Sequence, residues 1–354
     1  MEVFFRKCVI RAMQCCVFAL LGVLSVAAHA QVVTEFSAGI SPGQLLGITT
    51  GPDGNLWFAE YIGDRIGRIT PTGVVTEFST GITTGAGPAF ITKGPDGNLW
   101  FTEYDGNRIG RITPLGVVTE FSIGITAGAA PNGITKGPDG NLWFTETLGN
   151  RIGRITPAGV VTEFSTGITG SPVGIAAGPD GNLWFTENTV NRIGRITLLG
   201  VVTEFIAGTT PGAQPFDIAA GPDGNLWFTQ PGRNRIGRMT PLGVLTEFTA
   251  GITNGAVPFG IAKGPDGNLW FTEHVGDRIG RITPTGVVTE FSAGITANIL
   301  IAFITAGPDG NLWFTEQFGN RIGRIMPGPP APVLIGAASR KVHGVAGTFD
   351  LPLH

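Results

Sequence analysis

Six glutamates and one glutamine recur at a single position of a repeated string: Glu60, Glu103, Glu146, Glu187, Gln230, Glu273 and Glu316. Carboxylates brought together on one rim can hold a hard cation through oxygen ligands, with Glu187, Glu273 and Glu316 as candidate metal ligands. The bland alternative is ion pairing. Each repeat carries two arginines, such as Arg108 and Arg111, and unpaired like charges crowded at one mouth would repel strongly. Histidine is scarce. Beyond the first 30 residues only His274, His343 and His354 remain. His274 directly follows Glu273, so these two residues form the candidate acid–base pair. No Ser-His-Asp set or zinc-ligand cluster is visible.

One repeat departs from the others. It replaces the glutamate with Gln230, continues with Pro231-Gly232-Arg233, and has Asp217 where most repeats carry glycine. Phe216, Asp217, Gln230 and Phe259 are therefore the candidate ligand-binding residues. Drift among duplicated repeats would account for the same differences. The glutamates of the VVTEF strings, such as Glu77, Glu120 and Glu163, are expected to pair across strands with arginines.

The elements that must position these residues follow from the repeat. GPDGNLWF occurs seven times, with Trp57, Trp100, Trp143, Trp184, Trp227, Trp270 and Trp313 spaced by 43, 43, 41, 43, 43 and 43 residues. A period of 40-odd residues rich in β-branched and aromatic positions predicts a propeller. In the third repeat, strand-like runs alternate with Pro138-Asp139-Gly140, Gly149-Asn150 and Pro157-Ala158-Gly159 turns. That punctuation predicts a four-stranded antiparallel meander, one blade of an all-β ring. A first VVTEF precedes any complete blade, and the seventh RIGR has none after it. The N-terminal strand, residues 32–36, should therefore complete the last of seven blades and remove the free sheet edges. If the first strand of each blade descends the central channel, the Pro-Asp-Gly turns form a lower face. The glutamates and the variable segments 81–89 and 294–302 then open on the upper face, where binding is expected.

The ends read differently. Residues 1–30 combine Arg6, Lys7 and Arg11 with an apolar run and Ala28-His29-Ala30, which predicts a cleaved signal peptide and export to the periplasm or beyond. All three cysteines, Cys8, Cys15 and Cys16, lie inside it, so no disulfide is expected in the exported chain. The formal charge of −3 recommends neither nucleic acid nor an anionic membrane as partner. No membrane span is expected, and a monomer is. Residues 327–354 begin Pro-rich, as a linker does, and are expected to open a further module. The propeller should occupy residues 31–326.

Pro-x-Gly-Ile, then GPDGNLWFTE, then GNRIGRI, resembles the virginiamycin B lyase (streptogramin lyase) family of seven-bladed propellers over residues 32–326. The resemblance implies Mg²⁺-assisted opening of the ester ring of cyclic peptide antibiotics by elimination. It places the catalytic histidines at the x of Pro-x-Gly-Ile. It places metal-binding glutamates two residues before one of them and at the end of the WFxE strand. Here the x column is Leu46, Ala89, Asn132, Val173, Phe216, Phe259 and Ala302. None is histidine, and Gln214 is the nearest in kind to the first glutamate. The reading is thus a binding or scaffold module taking a small-molecule or peptide ligand at the upper mouth, with a cation as an option. The alternatives are a Mg²⁺-dependent carbon–oxygen lyase using Glu273 and His274, and a spacer within a larger surface protein.

Overall fold

The computed structural model describes residues 33–206 and 211–328. The predicted export segment and the tail beyond residue 328 lie outside the described residues. The described chain forms seven four-stranded antiparallel sheets, six of them sequential meanders from the channel outward. We number the blades from the one holding Trp57 to the one holding Trp313. Blade seven takes its outer strand from the N-terminus: Val33–Phe36 pairs with Arg321–Ile325, Phe36 lying opposite Ile322. Phe36 stacks on Trp313 at 5.4 Å and 15°, matching the Trp57–Phe78 pair within blade one at 5.4 Å and 14°. Ring closure therefore reuses the packing of an ordinary blade.

Blade three shows why GPDGNLWF repeats. Asp139 accepts hydrogen bonds from the Asn141 side chain and from the Trp143 indole N–H at 3.1 Å. Burial opposes its charge, but these bonds hold its carboxyl below the usual range. The indole is fully buried. Arg154 lies over the rings of Trp143 and Phe164, 5.6 Å from each centroid, and donates to the Leu198 carbonyl of the next blade. A carboxylate, an indole and a guanidinium thus close this lower turn and join it to the next blade. Gly153, inside RIGR, leaves no room for a Cβ against the Phe144 ring. Gly153→Ala should cost about 2 kcal/mol or more through overpacking, read as a lowered thermal midpoint; an unchanged midpoint would contradict this packing.

The innermost strand of blade three, Pro131–Lys136, is bulged between Pro131 and Ile134. The Thr145 hydroxyl accepts the Gly133 N–H at 2.9 Å and donates to the Val173 carbonyl of blade four at 2.7 Å. Thr102, Thr186, Thr229 and Thr272 reach the carbonyls of Asn132, Phe216, Phe259 and Ala302 in the same way. A buried hydroxyl thus fixes the backbone at these x positions from the neighbouring blade. Blade one carries Ala59 at this position.

Candidate functional site

The upper loops are clamped before they reach the channel. Glu163 of the outer strand Val161–Phe164 accepts the Thr126 N–H at 2.6 Å and its hydroxyl at 2.7 Å. Glu120 holds Thr83 likewise, in addition to the expected approach to Arg108 at 3.7 Å. A second clamp comes from the turn between the middle strands. Asn107 has φ 53°, the left-handed region that Asn tolerates well, and its Oδ1 accepts the Ala130 N–H. Asn234 does the same for Val257, and Asp64 for Gly87. Val257 is itself held at φ 58°, a costly conformation for a β-branched residue, two residues before Phe259.

These loops surround an axial cavity of about 330 Å³. The x column supplies Leu46, Ala89, Asn132, Phe216 and Phe259 to its wall. The next position adds Phe90 and Phe303, and the residue following the repeated glutamate adds Tyr61, Tyr104 and Gln317. Phe216 and Phe259 stack at 4.0 Å, and Phe303 lies 5.4 Å from Phe259 and 4.5 Å from Phe90. Tyr61 and Tyr104, the chain's two tyrosines, stand 6.5 Å apart. Burial and the Asp105 carboxylate push the Tyr61 phenol upward. Phe216 and Phe259 were expected from the sequence, whereas Phe90, Phe303 and both tyrosines were not. Gln44, which lines the cavity two residues before Leu46, was also missed. The available signal was that these residues break the repeat.

The repeated glutamates do not form a crown around this mouth. Glu60, Glu103, Glu146, Glu187, Glu273 and Glu316 are all fully buried, among outer-strand side chains of their own blades. Glu273 lies 3.7 Å from Arg278. Burial, with the hydrogen bond and charge of Glu290, raises its carboxyl to about 8, against the pull of Arg278. Glu290 is lowered despite its own burial, chiefly by the hydrogen bond from Glu273, so the proton resides on Glu273. Burial and Glu35 bring Glu316 to about 8. Glu187 accepts the N–H groups of Thr169 and Gly170, each at 3.0 Å. Gln230 is buried in the same layer and does not line the cavity.

The candidate pair also separates. Glu273 faces Arg278 and Glu290, whereas His274 stacks on Phe259 at 4.6 Å. Its Nδ1–H donates to the Ile301 carbonyl at 3.0 Å, because a carbonyl can only accept. Burial lowers its pKa. The imidazole is therefore neutral, with Nε2 as its basic nitrogen. Although distant in sequence from most of the x column, it lies beside Phe259 and next to the backbone that carries Ala302.

The donor set does not fit Mg²⁺. Among the described residues no three His, Cys, Asp or Glu side chains converge, and the glutamates expected as ligands are proton-bearing or already hydrogen-bonded. Mg²⁺ takes one or two carboxylates together with several waters in a near-regular octahedron, and Glu187, Glu273 and Glu316 are fully buried. Asp217 lies instead in the channel beneath the aromatic mouth.

Fold and site together define a seven-bladed propeller with an aromatic axial cavity. The virginiamycin B lyase family profile matches residues 21–251 and 170–331. The chain belongs to the virginiamycin B lyase family. It is similar to a virginiamycin B lyase from Staphylococcus aureus, with 37% identity, 84% of this chain and 99% of that chain covered, and a TM-score of 0.78. A catalytically inactive histidine-to-alanine variant of that enzyme, crystallised with quinupristin, matches equally at 37% identity, 84% and 99% coverage and TM-score 0.78. A streptogramin B lyase structure matches at 35% identity, covering 83% of this chain and 97% of that one, with TM-score 0.77. No match was found among curated proteins. Among the described residues no helix is long and apolar enough to cross a membrane.

Proposed function

We propose that this chain is an exported binding module that captures a peptide-like, aromatic-bearing ligand at its upper mouth without opening it. The observation that carries this reading is the cavity wall. Four phenylalanines and two tyrosines surround a few amide side chains, and the x column holds no imidazole. Aromatic walls with sparse polar groups suit a partly apolar ligand. Support for the ligand class comes from the relative crystallised with quinupristin. Export rests on the basic and apolar leader ending at Ala28-His29-Ala30.

Quinupristin should bind the purified propeller in calorimetry and yield no linear product by mass spectrometry, with or without Mg²⁺. Phe259→Ala should weaken binding about tenfold or more, since it removes a stacking surface. Turnover at high protein concentration would remove the non-catalytic reading. Absence of binding would remove the ligand class.

One observation favours a lyase instead: His274 presents a neutral Nε2 beside Phe259 and Ile301. General-base help is typically worth about 10²–10⁴-fold. Any turnover that His274→Ala abolishes, with quinupristin binding retained, would establish this second reading.

A further inference from the structure

Beneath the mouth the axis continues into a space of about 110 Å³ lined by Gly47, Phe90, Gly133, Asp217 and Phe303, with isoleucines below. Phe90 and Phe303 line both spaces, so the two are stacked on the axis with aromatic rings between them. Among the described residues, Asp217 is the one carboxylate lining either space, and no arginine or lysine lines them. Lys93, Lys136 and Lys263, at the lower ends of their inner strands, are exposed.

The Asp217 carboxylate is held in place. One oxygen accepts the Ile218 N–H at 2.9 Å and the other accepts the Ile261 N–H of blade six at 2.8 Å. Each oxygen keeps a further lone pair. Burial nevertheless pushes the carboxyl up to about 7, as expected for an acid facing apolar walls without a counter-ion. The pocket therefore lacks positive charge and offers one hydrogen-bonded carboxyl group that a cation would hold in its ionised form, with ring faces and little room. A volume of this size holds three or four waters at about 30 Å³ each, or one trimethylammonium-sized group. A hard metal ion would require several oxygen ligands. An organic cation requires one carboxylate and aromatic faces.

We propose that the channel is a cation subsite, in which a protonated or quaternary amine of the mouth ligand seats against Asp217 between Phe90 and Phe303. This rests on the reading of the mouth as the ligand site, and it narrows the ligand to a peptide-like molecule bearing an amine.

Choline and its neutral isostere 3,3-dimethyl-1-butanol provide the test on the intact propeller, by calorimetry or ligand-observed NMR. Choline should bind at least tenfold more tightly. Asp217→Asn, checked for an intact thermal transition, should erase that preference, and Phe303→Leu should weaken choline severalfold. Because the choline comparison is made on the unaltered protein, a folding defect in a variant does not decide the outcome. Equal affinity for the two probes, discrimination surviving in Asp217→Asn, or displacement of choline by millimolar Mg²⁺ would each overturn the subsite. Quinupristin binding with no choline binding would also overturn it while leaving the mouth reading intact. Choline discrimination without quinupristin binding would keep the subsite and reject the peptide ligand.

Discussion

Deleting residues 33–36 should turn a single cooperative melt into aggregation at temperatures where the complete ring is folded. The deletion removes four ladder pairs with Arg321–Ile325 and the Phe36 stack on Trp313. It also removes the Glu35 clamp on Thr296, at 2.6 Å to both the N–H and the hydroxyl. The half-buried phenylalanine alone accounts for about 2 kcal/mol, below the 3–5 kcal/mol of a fully buried one. The larger effect is the newly exposed edge, whose unpaired N–H and C=O groups template association between chains. Size-exclusion chromatography and differential scanning calorimetry on the deletion and on Phe36→Leu separate the two contributions. The point variant should stay monomeric and melt a few degrees lower. A deletion variant that melts like the parent would refute closure by this strand.

Raising the pH from 5 to 8 should lower the melting temperature by at least about 5 °C. Burial, followed by a second glutamate, holds Glu103, Glu146 and Glu316 at about 8 in the fold, against about 4.5 when unfolded. For an acid raised in the native state, the stabilisation is complete below the unfolded value and is lost as pH rises through the folded one. The window is therefore pH 4.5–8. The lowered outer glutamates, Glu204 and Glu290, act below that window and do not offset it. A tenfold difference in proton affinity between folded and unfolded chain corresponds to about 1.4 kcal/mol. Each kcal/mol moves the midpoint by about 2–4 °C in domains of 150–250 residues. Glu146→Gln isolates one site. Neither of its oxygens has a hydrogen-bond donor, and blade five already carries Gln230 in the same buried layer. The variant should be stabilised by about 1 kcal/mol or more at pH 8 and changed little at pH 5. Equal effects at both pH values would show that Glu146 is ionised in the fold.

The ring was legible in the sequence because its signal is redundant. Seven tryptophans at near-constant spacing fix the blades, and a VVTEF displaced to the front reveals the closure. The direction of the glutamates was not legible. Glu273 and His274 are adjacent in sequence, yet one enters the blade and the other turns toward Phe259. A bulged inner strand and a tight turn decide that, and neither has a clear residue signature. The mouth was half legible. Phe216 and Phe259 stood out in the x column, whereas Phe90, Phe303, Tyr61 and Tyr104 reach the same space from neighbouring columns. Their convergence depends on the radial geometry of seven blades, which no single repeat contains.

The paired carboxyls also change what the solution around the protein experiences. Near pH 7, Glu103, Glu146, Glu273 and Glu316 hold protons that the unfolded chain would have released. The closing of these four blades therefore draws protons from the buffer, so the heat of folding must depend on the buffer's ionisation enthalpy. Residues 33–326 carry 24 acidic and 18 basic side chains, a formal charge of −6, and the protons held by these glutamates make the finished ring less negative than that near pH 7.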